Sequence, residues 1–286
     1  MANDATPFDA TPAPVENKAL RVIAVVEQAE TTRQCLALAA EAARGMPGAT
    51  LTVLHIEADP TRIVSAPEEI SLQRLRIPEE GTSRDRAMRV HQTFDQWVAF
   101  SGNTTATWLH VAGSVEATLR QEARAADLIV IARPHNLDSG DALHAAIFDT
   151  GKLVMYVPER AAGRRVFSEH LAIIWRPDMP TRRAVQHSMP WLRAAGRVTV
   201  LSPDDADSID EVSQMLNAEN VLHDMHRHNH TAGDHIGTEL LREAREINAS
   251  GLIMGAYRFG MVLEWLFDSM TQRILTETTL PILMMH

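Results

Sequence analysis

The chain has 286 residues, a formal charge of −10, 45% hydrophobic and 22% charged residues, and a single cysteine. Length alone predicts about two domains, and the composition is that of a globular protein able to bury a core. The acidic balance, with no Lys/Arg cluster, argues against a nucleic-acid partner, and one cysteine excludes an internal disulfide framework or a Cys-based zinc site.

The opening "MANDATPFDATPAPVENK" has neither a basic n-region nor an apolar h-region. It therefore reads as a loose tail, residues 1–18, rather than a secretory signal. No apolar run approaches the roughly 18 residues a membrane span requires, so the expectation is a cytoplasmic protein with no membrane partner.

In chain order, "LRVIAVV" from Leu20 reads as a buried strand and "TTRQCLALAAEAARG" as an amphipathic helix ended by Gly45. Cys35 falls on the apolar pattern of that helix and is expected as a buried thiol. The strand "ATLTVLHI" follows, and then a polar excursion from Glu57 to Ser83 that reads as a solvated loop with one short helix. Next come the helix "RDRAMRVHQTFDQWVAF", the strand "TATWLHV", the helix "SVEATLRQEARAA" and the strand "DLIVIA". The helix "DALHAAIFDTG" and the strand "KLVMYVP" complete the series.

The order then repeats: "HLAIIW", the helix around "TRRAVQHSMPWLRAAG" with a kink expected at Pro190, "RVTVL", "SIDEVSQMLNA" and "NVLHDMHRH". "IGTELLREAREIN", "SGLIMGA", "DSMTQRILTET" and "LPILMMH" follow. Individual segments match as well: "AGRVTVL" with "GATLTVL", "INASGLIMGA" with "ARAADLIVIA", and "FDSMTQRIL" with "FDTGKLVMY". Alternating strands and helices imply an α/β fold of two tandem doubly wound, five-stranded parallel sheets, spanning 19–160 and 161–286. In each sheet the expected strand order is 3-2-1-4-5. The fifth strands, "LVMYVP" and "LPILMM", are too apolar to stand at an open edge. They therefore need cover.

These segments, "HLAIIW…AVQHSMPWLRAAGRVTVL…GTELLREAREINASGLIMGAY…LFDSMTQRILTETTLPILMMH" above all, resemble a universal stress protein domain of the UspA type. The first half resembles the divergent N-terminal domain of tandem universal stress proteins. The resemblance implies an adenine nucleotide alpha-hydrolase-like fold and a cytoplasmic, stress-linked protein. It also implies pairing between domains through the fifth strands "LVMYVP" and "LPILMM", burying Met155, Val157, Ile282 and Met284, as an intramolecular pseudo-dimer or a homodimer, and a protein partner or self-association in place of a catalysed reaction.

The nucleotide-binding branch of that family carries Gly, two residues, Gly, nine residues, then Gly and Ser or Thr. Here Gly255 and Ser269 match the ends of the pattern, whereas Arg258 and Asp268 replace the second and third glycines. Those glycines let backbone N–H groups approach phosphate oxygens with no Cβ intervening. Asp268 is instead a good N-cap for the helix opening at Ser269, taking the N–H groups a phosphate would use. Like charges about 4 Å apart near a surface repel by roughly 4 kcal/mol at an effective dielectric of 20. Arg258 either pairs with Asp268 or binds phosphate itself. The family's aspartate at the end of the first strand is Glu27 in the first half and Arg176 in the second. In the first-half loop, Ala132 and His135 stand where the family has glycines. No bound cofactor is expected; ATP or AMP at Gly255, Arg258, Asp268, Ser269 and Glu27 is the open alternative, with or without slow hydrolysis.

A further cluster, His223, His226, His228, His230 and His235, lies in "HDMHRHNHTAGDH". On a strand, His226, His228 and His230 share a face, which suits a metal or a pH-responsive surface. The plainer reading is a solvated edge strand whose polar residues discourage pairing. No nucleophile elbow or catalytic residue is identifiable, and a non-enzymatic role is expected.

Overall fold

A computed structural model describes residues 19–57, 77–78, 80–103, 105–133, 140–159, 166–202, 206–227, 236–256 and 269–286. Of the Glu57–Ser83 excursion, 58–76 and 79 fall outside these, as do the tail and the segment 160–165 between the two halves.

Ten strands form one sheet. They are β1 (Arg21–Val25), β2 (Thr50–Glu57), β3 (Thr107–Ala112), β4 (Leu128–Ala132), β5 (Leu153–Val157), β6 (His170–Ile174), β7 (Arg197–Ser202), β8 (Asp224–Arg227), β9 (Gly251–Gly255) and β10 (Ile282–Met285). The spatial order is β3-β2-β1-β4-β5-β10-β9-β6-β7-β8. Each half thus has the predicted winding, and every pairing is parallel except one. The exception joins the halves: β5 and β10 run antiparallel, with Ile282 opposite Tyr156, Leu283 opposite Met155 and Met284 opposite Val154. Met155, Val157, Ile282 and Met284 are fully buried. The two sheets are therefore continuous, because pairing the apolar fifth strands satisfies two backbone edges at once.

Helices cover both faces. One face carries α1 (Ala29–Ala43), α2 (Ser83–Ser101), α5 (Met179–His187), α6 (Met189–Ala194) and α7 (Ala206–Ala218). The other carries α3 (Val115–Glu122), α4 (Gly140–Phe148), α8 (Ile236–Glu246) and α9 (Ser269–Glu277). α1 ends as its sequence predicts, with Gly45 at φ 81°, a left-handed conformation that costs a glycine little. Cys35 of α1 is fully buried, and desolvation pushes its thiol up to about 12, so it is a core group and no nucleophile. α2 opens on a capping box: Thr82 Oγ1 accepts from the Asp85 N–H while Asp85 Oδ2 accepts from the Thr82 N–H.

The helix expected to kink at Pro190 divides into α5 and α6 around Ser188, at φ −86° and ψ 0°. Proline has no N–H to give to the carbonyl four residues back, and its ring crowds that turn. The break turns Trp191 toward the first half, where its indole Nε1–H donates to the Ala42 carbonyl at 3.0 Å.

Candidate functional site in the strand-end crevices

Doubly wound sheets present ligand sites beyond the carboxyl ends of their strands, where the winding reverses. This chain has two such places: between β1 and β4, and between β6 and β9.

In the first crevice, Glu27 leaves β1 half-buried. The cavity beside it measures 110 Å³ and is walled by Gln28, Glu30, Glu80, Arg86 and Arg89. Arg86 Nη1 donates to the Gly81 carbonyl at 2.8 Å and Arg89 Nη2 to the Glu80 carbonyl at 2.5 Å. The start of α2 is thereby drawn over the end of β1. Across the crevice, Ala132 ends β4 and is buried. The next residue, Arg133, sends Nη1 to the Thr276 carbonyl of α9 at 2.9 Å. His135 lies outside the described residues.

In the second crevice, Trp175 follows β6, fully buried, and its N–H donates to the Leu201 carbonyl at 2.9 Å. Arg176 comes next, with Nε 3.5 Å from Asp178 Oδ2. The other oxygen of Asp178 accepts from the Thr181 N–H at 3.0 Å and caps α5. Gly255 ends β9 beside Met285, and the Ala256 N–H donates to the Met285 carbonyl at 2.8 Å. His286 Nδ1 lies 2.9 Å from the Ala256 carbonyl, and Arg183 Nη1 reaches the His286 carbonyl at 2.7 Å. Ser269 lies in α9, whose described part begins there. Gly255 stands at the strand end that the loop pattern requires. Arg258 and Asp268, which decide how an anion would be received, lie outside the described residues.

The histidine cluster divides. His223 has both ring nitrogens engaged, Nδ1 3.0 Å from the Val221 carbonyl and Nε2 3.1 Å from Ser213 Oγ. His226 is exposed on β8, which is an edge strand, while His228, His230 and His235 are outside the described residues. The strand expected from Asn220 begins only at Asp224; Leu222, ahead of it, is 92% exposed. Among the described residues no group of three or more His, Cys, Asp or Glu is placed to hold a metal ion.

Sequence reasoning missed a different cluster, at the other edge of the sheet. His55 and Glu57 share a face of β2, and His110 lies opposite His55 on β3. His110 Nε2 is 3.0 Å from Glu57 Oε2, and Ser83 Oγ donates to Glu57 Oε1 at 3.1 Å. His55 is buried with Nδ1 2.7 Å from the Val26 carbonyl, and desolvation lowers its pKa to about 4. The available signal was the period-two placement of polar residues in "LHIE" and "WLHV", inside strands otherwise apolar.

The architecture and the two strand-end crevices define the universal stress protein fold, within the adenine nucleotide alpha-hydrolase-like class. A universal stress protein from Archaeoglobus fulgidus DSM 4304 superposes with a TM-score of 0.63 at 12% identity, covering 92% of this chain and 94% of that one. A candidate universal stress protein from Pseudomonas aeruginosa UCBPP-PA14 gives 0.52 at 12% identity, with 93% of both chains covered. A functionally unknown protein from Pseudomonas aeruginosa PAO1 gives 0.54 at 12% identity, covering 93% and 92%. No family model and no curated protein matches the sequence. Among the described residues no helix is long and apolar enough to cross a membrane.

Proposed function

We propose that this protein is a non-catalytic stress-response protein that acts by sensing and by protein interaction, and that its nucleotide crevices are degenerate. The observation that carries this reading is the Arg176–Asp178 pair. In the half that keeps the loop spacing, the strand end where the family has a nucleotide-contacting aspartate presents a guanidinium, and the carboxylate it pairs with, Asp178, caps α5.

A second reading, an ATP or AMP switch, is favoured by Gly255 ending β9 and by Ser269 lying on the helix that follows, two members of the phosphate-loop pattern. Native mass spectrometry of protein purified without added ligand separates the two. The degenerate-site reading expects the bare polypeptide mass. Co-purified ATP or AMP would transfer the role to the switch, and a bound metal would transfer it to the histidine cluster.

A further inference from the structure

The first half carries a second cavity, 610 Å³ in volume, between α2 and the edge strand β3. Its size is that of a small-ligand pocket. Its walls are Arg84, Met88 and His91 from α2, Trp108 and His110 from β3, and Glu57 from β2. Positions 84, 88 and 91 follow the i, i+4, i+7 spacing that aligns side chains along one helix face, so this wall is continuous. Because β3 is an edge strand, the cavity opens sideways to solvent.

The chemistry of the walls is aromatic and cationic. Trp108 is half-buried and held rigidly: its ring lies 4.8 Å from His91, 5.1 Å from Phe94 and 6.1 Å from His55. Met88 is 57% exposed, an unbranched thioether in front of aromatic side chains. Sulfur and ring edges attract planar aromatic groups. Both oxygens of the one carboxylate, Glu57, are engaged by His110 and Ser83. Arg84 and His110 are exposed. On a chain of formal charge −10, this is a local place where an anion finds an exposed guanidinium.

We propose that this cavity binds a small planar aromatic carboxylate. The ring lies against Met88, Trp108 and His91, and the carboxylate faces Arg84. The cavity shares no lining residue with the cavity beside Glu27.

The test is isothermal titration of the full chain with 2-naphthoate, with 2-naphthylmethylamine as a probe of the same shape and opposite charge. The expected result is one saturable site for naphthoate, weakened at least about tenfold by Arg84→Ala and by Met88→Ala, with no saturable heat from the amine. Arg84 and Met88 are exposed, so both truncations leave the core intact, and unchanged unfolding midpoints will show it. Absence of saturable naphthoate binding overturns the proposal. Equal binding of the amine, or naphthoate affinity unchanged in both variants, overturns it as well, because the ligand would then sit elsewhere or be held without charge recognition.

Discussion

The hydroxyl of Tyr156 in β5 donates to the carbonyl of Leu275 in α9 at 2.9 Å, across the junction of the two halves. Tyr156 is 1% exposed, and burial pushes its phenol well above the usual range, so the group donates throughout the physiological pH range. Together with Arg133 on the Thr276 carbonyl, it occupies carbonyls that α9 leaves free at its carboxyl end. The helix that opens at the loop of the second crevice is therefore anchored by the first half. Tyr156→Phe should lower stability by about 1–2 kcal/mol, because a buried carbonyl loses its donor. Urea unfolding measures this, and an unchanged midpoint would show that the bond adds nothing net.

The β5–β10 seam should be the most sensitive part of the molecule. Ile282→Asp places a carboxylate at a fully buried position opposite Tyr156, and should cost more than about 3 kcal/mol. Met284→Ala leaves a cavity and should cost about 2–5 kcal/mol. Denaturant unfolding of the two variants should give that order; tolerance of Ile282→Asp would mean that the seam opens readily in solution.

His55 sets a pH dependence whose sign follows from its burial. Its folded pKa of about 4 lies below the ordinary 6.5, so the folded state holds the neutral ring. Stability is full above pH 6.5 and falls as the unfolded chain takes up the proton, down to the folded pKa near 4. At roughly 1.4 kcal/mol per pKa unit, the loss across that window is about 3 kcal/mol. Burial also lowers His170, so the wild type alone mixes contributions. The difference between wild type and His55→Gln isolates the residue, and the variant's stability should decline less between pH 6.5 and 4. Parallel profiles would show that His55 takes up its proton equally in the folded and unfolded states.

In the second crevice, titration with ATP should give weak or undetectable binding to the wild type. Asp268→Gly with Arg258→Gly restores the glycines of the loop pattern and should raise the affinity. The same variant should lose about 0.5–2 kcal/mol of unliganded stability if Asp268 caps α9. Micromolar binding by the wild type that weakens in Arg258→Ala would instead identify an arginine-read phosphate and favour the switch.

What the amino-acid sequence determined by itself is what short range controls. Apolar runs such as "LIVI" and "ILMM" specify buried strands, the pattern around Cys35 specifies α1, Gly45 ends it and Pro190 divides a helix. Repetition of these elements was enough to predict the winding of each half. The apolarity of the fifth strands showed that they need cover, while their pairing with each other followed from the family resemblance. The seam's register and hydrogen bonds, Tyr156 to Leu275 and Trp191 to Ala42, were decided only by tertiary packing. So was the meeting of His55, Glu57 and His110: β2 and β3 are separated by the excursion and α2, and nothing local sets the pairing of His55 with His110. Arg176 was legible as a replaced aspartate, but its pairing with Asp178 was not, because side-chain partners depend on the angle at which α5 leaves the sheet. Local periodicity acts over a few residues, whereas sites are made where strand ends far apart in sequence converge.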